Sequence, residues 1–255
     1  MKALITNDDG VESPGLATLA EAARRCGLEV LVAAPSWNSS GASSSLTGVQ
    51  DDGRLRSRRI NLPHADIAAH AVEAAPALIA VLAMRGAFGE PPDVVLSGVN
   101  CGRNTGHAVL HSGTVGAALT ARNLGARGLA VSIDADVPGH WETAGAVAER
   151  AITWLCATEH AVVLNVNVPD VPADDLRGLR LAPLASVGAV QTSVTDVGEG
   201  YVQLEYEPPR PAEPGTDAAL LAEGWAVATP LRTLTEDDSV DVSALAFGPR
   251  TAAAR

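Results

Sequence analysis

Short runs of aliphatic and β-branched residues alternate with stretches of helical length, and no other feature restricts the fold of this chain as much. Ala3 to Thr6 reads as a strand, Leu16 to Cys26 as a helix and Leu28 to Ala34 as a second strand, a βαβ opening. The pattern continues with a helix over Ala71 to Arg85, a strand over Asp93 to Ser97, a helix over Thr114 to Leu124 and a strand over Leu129 to Ile133. A helix over Trp141 to Cys156 and a strand over Ala161 to Val166 follow. Continuous apolar strands, each leading into a helix, predict an α/β fold with a mainly parallel sheet covered on both faces. Ligands of such sheets bind beyond the carboxyl ends of the strands, so the loops leaving the strands are where chemistry is expected.

After Pro169 the composition turns acidic and rich in proline. Alternating segments at Val190 to Thr195 and Tyr201 to Tyr206 predict a β-hairpin appendage. A short helix over Asp217 to Glu223 and a strand over Trp225 to Pro230 return the chain to the body, and Thr251 to Arg255 reads as a frayed tail. With 255 residues, 47% of them hydrophobic, one main domain over 1–255 is expected. The strand at residues 2 to 6 leaves no room for a basic leader, and no apolar run approaches the roughly 20 residues of a membrane helix. A soluble, cytoplasmic protein without a membrane partner is the expectation. Cys26, Cys101 and Cys156 lack the close spacing of a disulfide framework or a zinc site and read as buried thiols.

The formal net charge is −12, which argues against a nucleic-acid polymer as partner, because binding a polyanion needs clustered Lys and Arg. A small partner fits better. A substrate bearing phosphate would be repelled at long range by this charge, so it requires a local positive centre such as a bound metal. Lys2 is the sole lysine and lies in the first strand, which excludes a Walker-type lysine, a Schiff base and a Ser-Lys dyad.

Four loops carry the candidate chemistry. Asn7-Asp8-Asp9-Gly10 follows the first strand, and its adjacent carboxylates repel each other unless a cation lies near; hard oxygen ligands suit Mg²⁺ or Mn²⁺. The same residues are also ordinary turn and helix-capping chemistry. Ser97 to Gly106 follows another strand, and its three glycines permit close backbone approach while Asn100 and Asn104 offer neutral oxygens or amides. A long surface loop is the plainer reading, and Arg103 is either a phosphate contact or solvated. His111-Ser112-Gly113-Thr114 opens a helix whose free amides and hydroxyls suit an anion, although Ser112 or Thr114 can equally be a simple cap. His107 and His111 are candidates for acid, base or orienting roles. The serine-rich loop from Ser36 to Thr47 lies at the same edge.

Taken together, Asn7-Asp8-Asp9-Gly10 with Pro14-Gly15, Ala34-Pro35, Ser40-Gly41, Ser45-Leu46-Thr47, Ser97-Gly98-Val99-Asn100 and Ser112-Gly113-Thr114-Val115 resemble the SurE family of nucleotidases in order and spacing. Leu164 to Pro169, Gly215-Thr216-Asp217 and Thr229-Pro230-Leu231 extend the resemblance over almost the whole chain. The resemblance implies a Rossmann-like sheet and a protruding hairpin, residues 170–215, exchanged between the subunits of a homodimer or tetramer. It implies one divalent metal ion, Mg²⁺ or Mn²⁺, held by Asp8, Asp9, Ser40 and Asn100. Asn104, Ser112, Gly113 and Thr114 would lie near the phosphate of a small phosphorylated substrate. The implied reaction is hydrolysis of nucleoside 5′- or 3′-monophosphates by metal-activated water, with Asp8 or Asp9 orienting that water.

Two segments depart from the family pattern. Ala74 to Ile79 is apolar where relatives are polar, and Ser36 and Ser44 stand where relatives commonly carry Asp and His. A phosphatase for a specialised phosphorylated metabolite, or a non-catalytic phosphate-binding protein, therefore stays in view. An aspartyl-phosphate phosphatase built on Asp134-Ala135-Asp136 is disfavoured because that motif belongs early in the chain, and the first turn lacks the glycines of a dinucleotide fingerprint.

Overall fold

A computed structural model describes residues 1–63, 65–186, 192–198, 201–206, 212–236 and 239–240. In chain order the elements are β1 (Lys2–Thr6), α1 (Pro14–Arg25), β2 (Glu29–Pro35), β3 (Gln50–Asp51), β4 (Arg54–Leu55), β5 (Ser57–Asn61) and β6 (Ala68–Val72). Then come α2 (Pro76–Met84), β7 (Val94–Cys101), α3 (Gly113–Asn123), β8 (Arg127–Asp134), α4 (Trp141–Ala157) and β9 (Val163–Pro169). The chain finishes with β10 (Leu179–Leu181), β11 (Thr192–Gly198), β12 (Tyr201–Tyr206), α5 (Asp217–Ala222) and β13 (Ala226–Leu231).

Among the described residues nine strands form the main sheet, in the order β10-β13-β9-β8-β7-β1-β2-β6-β5. The six from β9 to β6 run parallel, while β5 joins β6 and β13 joins β9 antiparallel. Side chains alternate across a strand, and β1 shows the result: Ala3 and Ile5 join a core cluster with α1 and α4, whereas Leu4 faces the cluster that contains α2 residues. A sheet buried on both faces needs apolar residues at every position, which is why its strands read as unbroken runs. Among the described residues no helix is long and apolar enough to cross a membrane.

The helix expected over Ala71 to Arg85 is two elements. Ala68–Val72 is a strand paired with β2 and β5, and the helix begins at Pro76. Proline disfavours helical backbone at the residue before it and suits the first helical position, so Pro76 fixes this boundary. The apolar Ala74 to Ile79 segment has a packing explanation, since Ala74 and Ile79 are buried in one cluster with Leu4 and Val72. The short strands β3, β4 and β5 and the edge strand β10 lie where the sequence has no apolar periodicity: Ser57–Asn61 reads Ser-Arg-Arg-Ile-Asn, and charge on an edge strand deters pairing with another chain. The hairpin appears as an antiparallel β11–β12 pair, a two-stranded sheet of its own. Val190, Gln191 and the tail from Thr251 lie outside the described residues.

One close approach ties α1 to the sheet. A Cβ on Gly15 would lie 2.0 Å from the Val99 carbonyl oxygen and 2.9 Å from the Trp141 ring, so the start of α1 meets β7 only without a side chain. Gly15→Ala is expected to destabilise the protein by about 1–3 kcal/mol or more in urea unfolding, the range for overpacking a close-packed contact. An unchanged unfolding midpoint would show that this contact yields.

Candidate active site

The chain leaves β1 towards β2 and leaves β7 towards β8, in opposite directions across the sheet. Their carboxyl ends are neighbours, Thr6 opposite Ser97, so the two following loops diverge and open a crevice at this topological switch point.

In the loop after β1, Asn7 makes the turn: its Nδ2 donates to the Gly10 carbonyl at 3.0 Å and its Oδ1 accepts from the Gly10 amide at 3.2 Å. That is the turn chemistry expected of this motif, and it leaves both aspartates for other work. Asp8 is 3% exposed and accepts from the Thr114 amide at 3.0 Å through Oδ2 and from the Thr114 hydroxyl through Oδ1. The start of α3 reaches it because residue 113 is glycine; a Cβ there would lie 2.8 Å from Asp8 Oδ2. Asp9 accepts from the Cys101 amide at 2.9 Å through Oδ2. The two carboxylates therefore hold the ends of β7 and α3 to β1.

Burial sets their titration. It raises the Asp8 carboxyl above its ordinary value, against the hydrogen bonds from Thr114. Burial also pushes Asp9 up to about 6, and the neighbouring Asp8 charge adds to the rise. The Cys101 thiol is pushed up to about 12 by burial and by Asp9, so it is neutral at physiological pH and a poor nucleophile.

A register shift between Ser97 and Asn100 in the β7–β8 pairing puts a bulge at the end of β7. The Asn100 amide nitrogen donates to the carbonyls of Cys101 and Gly102 at 3.0 and 2.7 Å, and its oxygen accepts no hydrogen bond among the described residues. The serine loop is tied to the same place by Ser39, whose amide donates to the Asp8 carbonyl at 2.6 Å. Ser40, next along, is exposed, and its hydroxyl donates to Asn38 Oδ1 at 2.7 Å. Ser44 donates weakly to the Gly116 carbonyl at 3.4 Å.

Ser112 is the N-cap of α3, its hydroxyl accepting from the Val115 amide at 3.1 Å. Both donors of Thr114 are engaged by Asp8, so this residue positions a carboxylate. Asn104 is clamped by residues that the sequence reading gave no role. Its amide donates to Asn167 Oδ1 at 2.7 Å, its carbonyl accepts from Asn165 and Asn167 at 2.9 Å each, and its side chain donates to Ser132 at 2.8 Å. Their signal was a pair of asparagines two positions apart in an otherwise apolar strand. Asp217, fully buried at the start of α5, accepts from the amides of Gly106, Ala185 and Ala218 and fixes the far end of the same loop. His107 and His111 lie exposed on a short 3₁₀ helix, Gly106–His111, and neither ring has a hydrogen-bond partner among the described residues.

No group of three His, Cys, Asp or Glu converges among the described residues, so a cation here would rely on two carboxylates and neutral oxygens. The donor set fits a hard divalent ion: Asp9 retains Oδ1, Asn100 presents an unbonded amide oxygen, and two adjacent carboxylates drawn from water gain from a neutralising charge.

A doubly wound α/β protein with a pair of adjacent carboxylates at its switch point is the class that fold and site define. The family model described as Survival protein SurE matches residues 3–190. The 5′/3′-nucleotidase SurE of Shigella dysenteriae serotype 1 is 38% identical over 251 residues, covering 95% of this chain and 94% of that protein. The 5′-nucleotidase SurE of Legionella pneumophila is 37% identical over 237 residues, covering 91% and 90%. The crystal structure of the SurE protein from Aquifex aeolicus superposes with a TM-score of 0.79 at 29% identity, covering 95% of this chain and 98% of that one. The chain belongs to the SurE family.

The raised Asp9 carboxyl has a stability consequence. Between its ordinary 3.8 and about 6 the folded protein holds a proton that the unfolded chain has released, so this group costs stability as pH rises through that window. In chelator, the melting temperature of Asp9→Asn should therefore gain on that of the unsubstituted protein between pH 4 and pH 7, a window set by the two pKa values. Parallel curves would mean that Asp9 ionises in the fold as freely as in the unfolded chain.

Proposed function

We propose that this chain is a divalent-metal-dependent phosphomonoester hydrolase acting on nucleoside 5′- or 3′-monophosphates. The observation that carries the reading is the pair of adjacent carboxylates, buried Asp8 and half-buried Asp9, held by Thr114 and Cys101 beside the free oxygen of Asn100. The nucleotidase names of relatives that align over nine tenths of the chain support the substrate class. A cavity of about 610 Å³ bordered by Ser43, Ser44, Leu110, Gly116 and Thr120 adjoins the site loops, and its volume is that of a small-ligand pocket.

In this reading Asp8, Asp9, Ser40 and Asn100 hold one Mg²⁺ or Mn²⁺. A bound divalent ion neutralises phosphoryl oxygens and makes a water more acidic. Asp9, less deeply buried than Asp8, would orient that water. Thr114 favours the ionised form of Asp8, against the effect of burial, and holds the carboxylate in place by giving it two hydrogen bonds. Asn104, Ser112 and Gly113 border the substrate phosphate, with the positive end of the α3 dipole behind it. The protein works as one unit over 1–255, in the cytoplasm, as a homodimer or tetramer. Its dimerisation segment falls within 170–215, where β11 and β12 stand apart from the main sheet while β10 belongs to it.

Phosphate release from nucleoside monophosphates, sugar phosphates and p-nitrophenyl phosphate should require Mg²⁺ or Mn²⁺ and stop in chelator. Asp8→Asn should lower kcat/KM by roughly 100-fold or more, as expected when a preorganised charge in the site is lost. Binding of nucleotide without turnover by folded, metal-loaded protein would favour a phosphate-ligand sensor.

A further inference from the structure

Among residues 7–13, 36–49, 102–112 and 135–140, which leave β1, β2, β7 and β8 at the carboxyl edge, the sole Lys or Arg is Arg103. It follows Cys101, whose amide holds Asp9, by two residues, so the two Cα atoms are within roughly 7.6 Å. Its guanidinium meets Asp134 at the end of β8, where one nitrogen, Nη1, lies 3.3 and 3.4 Å from the two carboxylate oxygens. These side chains are 31% and 27% exposed.

The plain reading is that Arg103 neutralises Asp134. The geometry is poor for that purpose alone. Charge-assisted N–H···O contacts settle near about 2.7–2.9 Å and prefer the two-pronged arrangement, whereas this pair is long and uses a single nitrogen. The other guanidinium N–H groups have no acceptor among the described residues. A part-exposed ion pair of this kind contributes little, so an incoming anion can displace it readily.

Its position selects which anion. Asp134 ends β8, the second strand from β1 across the sheet, and strands are spaced about 4.8 Å apart, so it is anchored roughly 10 Å from the strand that carries Asp8 and Asp9. A phosphoryl group at the paired aspartates leaves Arg103 free for something farther along the same substrate. We infer that Arg103 is a specificity-determining residue that receives a second anionic group on the leaving group. The preferred substrates are then phosphomonoesters that carry a further phosphate or carboxylate. The inference rests on the phosphatase reading and narrows its substrate class; Asp134 holds the guanidinium in place until that group arrives.

The test compares hydrolysis of AMP with adenosine 3′,5′-bisphosphate, and of glycerol 3-phosphate with 3-phosphoglycerate, by metal-loaded protein and by Arg103→Gln and Arg103→Lys. The ratio of kcat/KM for the doubly anionic member over its partner should be about tenfold or more in the unsubstituted protein. It should fall by about that factor in Arg103→Gln, through KM, and partly recover in Arg103→Lys, which keeps the charge and loses the fork. The bisphosphate pair responding alone would assign phosphate as the second group, and the phosphoglycerate pair alone would assign carboxylate. A ratio near one, or one that Arg103→Gln leaves unchanged, overturns the inference while the phosphatase reading stands. If no compound is hydrolysed, the phosphatase reading falls instead, and calorimetric titration of AMP and the bisphosphate into protein and Arg103→Gln decides: equal loss of affinity for both removes Arg103 from second-anion recognition.

Discussion

The contact on which the site depends is the one between Asp8 and Thr114. It joins the carboxyl end of β1 to the first turn of α3, residues 106 apart in sequence, through a backbone amide and a hydroxyl. A buried carboxylate without such donors would carry a large desolvation penalty and would protonate instead. With them, the helix start and the strand end are fixed relative to each other, and Gly113 is the residue that lets them come so close. Asp9 repeats the device on the other side of the crevice with the Cys101 amide. The two strands that flank the switch point are thus cross-linked by the groups that also make the site acidic.

This explains how a chain of net charge −12 can handle a phosphate ester. Two of its carboxylates, Asp8 and Asp9, lie side by side where a hard cation would neutralise them, and Asn100 next to Cys101 offers a neutral oxygen. Fold stability and function pull in opposite directions here. Burial that raises Asp8 and Asp9 costs stability in the ion-free protein, and a divalent ion bound there would offset that cost. Arg103, the lone strong cation of the crevice loops, stands apart on β8's side and has a weak partner.

Much of the fold was legible because a doubly covered parallel sheet writes itself as strands of five to eight residues around a short apolar run, as in β1, β7 and β8. The misreadings share one cause. Ala68–Val72 has the composition of a helix, and became a strand because β2 and β5 supply its backbone partners. Ser57–Asn61, facing solvent at the sheet edge, carries no apolar pattern to read. The candidate site was legible as four motifs, since each sits directly after a strand. The roles inside it were less so: Ser112 and Thr114 looked alike as anion donors, yet one caps a helix and the other holds Asp8.

By itself the sequence determined the α/β class, the strand ends that bear chemistry and the resemblance to one family, because periodicity, glycine placement and carboxylate pairs are local properties of a chain. Only the tertiary structure decided which groups meet. That Asn165 and Asn167 clamp Asn104, that Asp217 anchors Gly106, and that Arg103 faces Asp134 all depend on strand order and register. Hydrogen bonds and ion pairs between residues tens of positions apart are set by packing, and no local pattern encodes their partners.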